Sequence, residues 1–115
     1  MKIEDFKNKL RNTPDQVEFT ETMATIEANY DFTPTAFKNG ELNNASDENS
    51  GSCKLFALAK KQNFTKEETL ACFGTYYFND VLKDPTGAGH QNIRNFMKTG
   101  LGGLSFEGEA LVEKK

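Results

Sequence analysis

The chain has no tryptophan, one histidine, two cysteines, three prolines and no long apolar run. Each scarcity closes off a class of protein. With only a few consecutive apolar residues anywhere, no segment can supply the roughly 20-residue span of a transmembrane helix. Cys53 and Cys72, with eighteen residues between them, match neither a CxxC redox pair nor a multi-ligand zinc site, so reduced thiols are expected. Lysine and arginine number 14 against 17 acidic residues, with a net charge of -3 and no dense basic stripe. Without clustered cations to displace counterions from phosphates or to hold anionic lipids, neither nucleic acid nor a membrane surface is an expected partner. The N-terminus Met1-Lys2-Ile3-Glu4-Asp5-Phe6 shows no apolar signal-peptide core, and a cytoplasmic protein is expected.

What the chain does have is phenylalanine, ten in 115 residues, enough to mark out one core in one domain spanning 1–115. Helical periodicity places the elements. Ile3, Phe6 and Leu10 predict a first helix ending near Asn12. Thr13, Pro14 and Gln16 read as the cap, first position and capping-box partner of a second, which carries the stripe Phe19, Met23, Ile26 and Tyr30. From Asp31 to Ser52 the period fails. Pro34 biases the preceding residue to extended geometry, and Asn39-Gly40 suits a type I′ turn pairing Ala36–Lys38 with Glu41–Asn43. Ser50 or Ser52 then caps a third helix closed by Asn63. Thr65 and Glu68 form a capping box opening the longest helix, which Leu70, Phe73, Tyr77 and Val81 carry as far as Pro85. A last helix around Ile93, Phe96 and Met97 stops at Gly100, and the alternation in 102–108 suits one edge strand. The expected fold is therefore α+β and mainly helical: about five helices around a Phe-rich core, a small hairpin and a C-terminal strand.

Two motif readings fail on inspection. Counting an EF-hand loop from Asp47 puts Ser52 at the glycine position and Leu58 at the final carboxylate. Gly87-Ala88-Gly89 has Asn92 in place of the third glycine of a dinucleotide fingerprint and follows no apolar strand, so a turn is the better reading. No metal and no cofactor is expected.

The polar, glycine-punctuated stretches carry the remaining signal. Tyr30-Asp31-Phe32-Thr33-Pro34-Thr35-Ala36-Phe37-Lys38-Asn39-Gly40, Asn49-Ser50-Gly51-Ser52-Cys53-Lys54, Thr69-Leu70-Ala71-Cys72-Phe73-Gly74-Thr75-Tyr76-Tyr77 and His90-Gln91-Asn92-Ile93-Arg94-Asn95-Phe96-Met97 together resemble the HopJ family. The match runs in order over nearly the whole chain. That family takes its name from a type III secretion effector of a plant pathogen, so the name implies delivery into a host cell, while an immediate N-terminal helix suits a housekeeping bacterial protein better. The resemblance implies no reaction, substrate or cofactor. The family pattern often has Arg after the tyrosine pair and Trp after the late glycine; Phe78 and Leu101 stand here instead, which weakens an anion-binding role for that face.

Two functional expectations follow. In the first, the chain is a binding or interaction module for a small molecule or a protein, with Asn39, Asn49, Ser52, Lys54, Tyr77, Asn92 and Arg94 on its surface. Arg supplies a bidentate fork and the glycines before His90 leave helix amides open to a carboxylate, phosphate or amide; alternatively Asn92 and Arg94 merely tether the long 31–52 loop. Either tyrosine hydroxyl, of Tyr76 or of Tyr77, can line a cleft. In the second, a cysteine-dependent hydrolase or transferase uses Cys53, activated near a helix start, with His90 as base, oriented by Asn79, Asp80 or Asn92. The competing view of that pair is plain packing for the thiol and a capping role for the histidine.

Overall fold

A computed structural model describes residues 2–114. Helix α1 (Ile3–Asn12) buries Phe6 and Leu10, and its charges suit its dipole, with Glu4 and Asp5 in the first turn and Lys9 and Arg11 in the last. The second helix does not begin at Thr13. That hydroxyl donates backward to the Lys9 carbonyl (3.1 Å), Pro14–Gln16 form one 3-10 turn, and α2 spans Phe19–Asn29. Between them Val17 is drawn into the core, 1% exposed, and an extended link is what lets it reach there.

Among the described residues five strands form two small antiparallel sheets. β1 (Tyr30–Phe32) pairs with β5 (Leu111–Glu113), while β2 (Phe37–Asn39) lies between β3 (Leu42–Asn44) and β4 (Leu104–Phe106). The hairpin is displaced by one residue from the expected register: Asn39 pairs with Leu42, and the loop is Gly40-Glu41. Of those two only Gly40 has positive φ (61°), as a type II′ turn with glycine first requires. The displacement has a packing cause. Phe37 stacks on Phe106 (5.6 Å) and meets the edge of Phe56 (6.1 Å), and because strand side chains alternate, burying Phe37 also buries Asn39. The C-terminal part supplies two strands where one was expected; β4 is the anticipated edge strand, and β5 buries Leu111 under β1.

Helix α3 (Ser50–Gln62) is the central rod, with Cys53 and Leu55 through Ala59 all buried. Asn49, not a serine, holds the position before it, in the left-handed region (φ 50°), and Asn63 closes it in the same conformation (φ 55°) as expected. Phe56 is fully enclosed by the rings of Phe37, Phe73 (5.5 Å) and Phe96 (4.9 Å), so the Phe-rich core is real.

The predicted long helix is broken. The Thr65–Glu68 capping box forms as expected and opens α4, but α4 ends at Ala71 (Lys66–Ala71). The Cys72 carbonyl accepts the Thr22 hydroxyl of α2 (2.8 Å), and Gly74 turns into positive φ (61°), with the chain resuming as a π-helical turn over Tyr76–Val81. A Cβ at Gly74 would sit 2.9 Å from the Phe19 nitrogen and 3.0 Å from the Val17 carbonyl. The break is thus set by docking against the start of α2, which hydrophobic periodicity alone cannot reveal. Helix α5 (Gln91–Thr99) ends at Gly100 as expected, and a 3-10 turn (Leu101–Gly103) leads into β4.

Gly74→Ala combines a strained φ with contact against rigid backbone, and is expected to lower unfolding stability by roughly 2–4 kcal/mol in urea titrations. Gly89→Ala, where a Cβ meets nothing within 4 Å, should change it by less than about 0.5 kcal/mol. Equal effects of the two would refute the docking explanation of the helix break.

Candidate functional site

The start of α5 is fastened to the hairpin by asparagines. The Asn92 side-chain oxygen accepts from Asn39 Nδ2 (3.1 Å) and Asn44 Nδ2 (3.2 Å), and its own Nδ2 donates to Asn44 Oδ1 (3.1 Å). Asn39 Nδ2 also donates to the Asn92 main-chain carbonyl (2.7 Å), and Asn49 Nδ2 donates to Asn44 Oδ1 (2.6 Å). Asn39, Asn44 and Asn92 are all buried. One network therefore joins the hairpin, the residue before α3 and the first turn of α5.

That joint shapes a cleft of about 620 Å³. Its apolar wall is Phe19, Phe73, Leu42 and Ile93, with Tyr76 above; its polar margin is Asn49, Gly51 and Ser52 on one side and His90, Gln91 and Asn92 on the other. Phe19 lies parallel to Phe73 (6.1 Å) and meets Tyr76 edge-on (5.2 Å). Gly51 permits this, since a Cβ there would come within 2.9 Å of the Phe19 ring. His90 stands at the exposed margin in the left-handed region (φ 55°), its ring 5.4 Å from that of Tyr76 and its Nε2 3.1 Å from Asp80 Oδ2. Of the groups considered as orienting the imidazole, Asp80 takes that part. His90 occupies the cap position of α5 without capping it through its side chain.

The middle loop and the turn before the last helix do meet, as the sequence reading required, but not every expected residue comes with them. Asn49, Ser52, His90 and Asn92 line the cleft; Asn39 lies behind it in the network. Cys53 does not line it. The residue is 2% exposed, its thiol donates to the Thr35 carbonyl at 3.8 Å, and burial pushes its pKa above the ordinary thiol value, more than that hydrogen bond lowers it. A helix start favours a thiolate and burial disfavours it, and at Cys53 burial is the larger effect. The Cys53–His90 pair is not assembled. Cys72 is buried more deeply and likewise raised, chiefly by desolvation.

Lys54 lies outside the cleft, 3.7 Å from Glu27 and over the Phe32 ring. Tyr77 packs against Phe78, its hydroxyl pKa raised by burial and then by Glu67, and Tyr76 takes the place by the cleft because the break at Gly74 re-aims the pair. Arg94 serves as a tether, though to a different loop: Nε donates to the Gly89 carbonyl (2.5 Å) and Nη1 to that of Asp84 (2.8 Å), which fixes residues 84–89. Gln91, which stands beside His90 and Asn92 in the 89–94 turn as the sequence suggested for a ligand-holding group, does line the cleft, whereas sequence reasoning passed over Asn44 and Phe19. Asn44 sat in the aperiodic 31–52 segment, and Phe19 was absorbed into a core stripe. Among the described residues no group of three or more His, Cys, Asp or Glu is placed to hold a metal ion, and no helix is long and apolar enough to cross a membrane.

Fold and cleft define a small, mainly helical α+β protein with one aromatic-walled recess at two helix starts. The chain belongs to the HopJ type III effector protein family, whose model matches residues 3–111. It is similar to a protein of unknown function, VPA0580, known from a crystal structure: 52% identity over 99% of this chain and 95% of that one, with a TM-score of 0.97. No curated protein matches.

Cys53 in the native protein should react with a thiol reagent more slowly at pH 7.5 than a free peptide thiol does. Because burial raises its pKa, the rise of rate with pH should lie to the alkaline side of the peptide's. Faster reaction, with its rise displaced toward acid, would restore the thiolate nucleophile.

Proposed function

We propose that the protein is a small-molecule-binding module whose ligand site is the cleft between the starts of α3 and α5. The observation that carries this is the convergence of two separate polar segments on an aromatic wall, in a recess of about 620 Å³, within the range of small-molecule sites. Polar groups at the margin fix orientation, and the rings of Phe19, Phe73 and Tyr76 supply apolar contact. The enzyme alternative draws less support, since its nucleophile would have to ionise inside apolar packing. A cytoplasmic, reducing compartment suits both cysteines, which are free and buried. Delivery into a host by type III secretion rests on the family's name alone.

Tyr76 is 43% exposed, so its removal leaves the core intact. In a fragment screen read by amide NMR, binders should shift the signals of Gly51, Ser52 and Gln91, and Tyr76→Ala should weaken them about tenfold, as loss of one aromatic face against a flat ligand does. Binders that map only to other surfaces would overturn the assignment.

A further inference from the structure

Resting on that reading, we infer that the cleft takes a neutral, planar ring carrying an amide or amino-heterocycle edge, of the nicotinamide or nucleobase kind, and not a carboxylate or phosphate. The first observation concerns charge. The lining contains no Asp, Glu, Lys or Arg. The formal charge set beside it is the Asp80 carboxylate, held 3.1 Å from His90 at the mouth, and its sign opposes an anion. Arg94 and Lys54, the cations nearest in sequence to the two margins, are committed to Asp84 with Gly89 and to Glu27 with Phe32.

The second observation concerns which polar atoms remain. The Asn49 amide nitrogen is engaged by Asn44, and the Gln91 amide nitrogen donates to the Ala88 carbonyl. Each amide nitrogen has a second N–H, so what these side chains keep for a ligand is a carbonyl oxygen and one N–H apiece, acceptor and donor side by side. Within the asparagine network Asn92 Oδ1 accepts two bonds and its Nδ2 donates one, so its oxygen has no lone pair left for a ligand. Ser52 adds a hydroxyl able to act either way. Neither helix start carries a side-chain cap, so main-chain N–H groups of the first turns are left to meet a ligand carbonyl or ring nitrogen. Acceptors and donors along one margin match an amide edge, which presents both; a carboxylate, which only accepts, would meet the donors but leave the Asn49 and Gln91 oxygens without a partner.

The third observation is shape. The parallel pair Phe19–Phe73, with Tyr76 set edge-on to Phe19, makes a wall suited to a flat ring, and such stacking is tolerant of ring type. The hydrogen-bonding edge then decides among rings, because a site built to bond an N–H strongly disfavours an analogue that lacks it.

The test compares nicotinamide, adenine and adenosine with benzoate and with adenosine monophosphate, by amide NMR titration of the intact chain. Nicotinamide and benzoate are close in shape and differ at the decisive edge. The inference expects nicotinamide or adenine to shift Gly51, Ser52 and Gln91, benzoate to bind at least about tenfold more weakly, and the monophosphate to bind no tighter than adenosine. Gln91→Leu, an exposed position, should weaken the amide-bearing ring about fivefold and leave benzoate unchanged. Benzoate binding in the cleft as tightly as nicotinamide, or a phosphate that tightens binding, would overturn the ligand class while leaving the cleft a binding site. A general fragment screen whose binders all shift other surfaces would instead remove the site itself.

Discussion

Burying an amide side chain costs free energy unless its donors and acceptors are met, and three asparagines of this protein meet that cost through one another. Asn92 faces Asn39 and Asn44 across the gap between α5 and the hairpin, and Asn49 extends the chain of bonds to the start of α3. Removing any member strands the others in a dry place, where an unmet amide costs about 1–3 kcal/mol. The network accordingly fixes the separation and angle of elements that are far apart in sequence. The cleft exists because these elements are held apart at the surface and joined beneath it. One atom of the set, Asn39 Oδ1, has no partner among the described residues.

The aromatic side of the cleft depends on a second joint, between α2 and the broken end of α4. Thr22 takes the Cys72 carbonyl out of the helical ladder and Gly74 accepts the resulting turn, so that Phe73 stays in the core while Tyr76 emerges beside Phe19. Had α4 continued as one helix, Tyr77 and Val81 would have followed Leu70 down a single stripe and the recess would have lost its upper wall. Stability and site geometry are here the same set of contacts. The thiol of Cys53, by contrast, contributes as a small apolar group of α3 and takes no part in the recess.

Local signals in the sequence were reliable where the determining contacts were local. The Thr65–Glu68 capping box, the Asn63 and Gly100 terminations and the phenylalanine core follow from residues within a turn of one another or from simple burial. Errors arose where a distant partner decided the matter. Thr13 looked like a cap for α2 but serves the end of α1; the hairpin slid by one residue to place Phe37 against Phe56 and Phe106; α4 stopped because α2 lies across it. The site divides in the same way. That the middle loop and the 89–94 turn belong together was readable from their unusual polarity, and Asn39, Asn49 and Asn92 were among the residues named. Which side chains would face the recess was not readable, since Tyr76 and Tyr77, or Cys53 and Ser52, differ only by their rotation about a helix whose neighbours are unknown to the sequence.

The most direct test is a double-mutant cycle on Asn44 and Asn92 in urea unfolding. The account predicts that Asn44→Ala and Asn92→Ala each cost about 2–3 kcal/mol, and that the double variant costs at least about 1 kcal/mol less than the two together, because each change already strands the same partner. Additivity within about 0.5 kcal/mol, with small single effects, would mean that the asparagines do not hold the two helix starts in place, and the explanation of the cleft would fail.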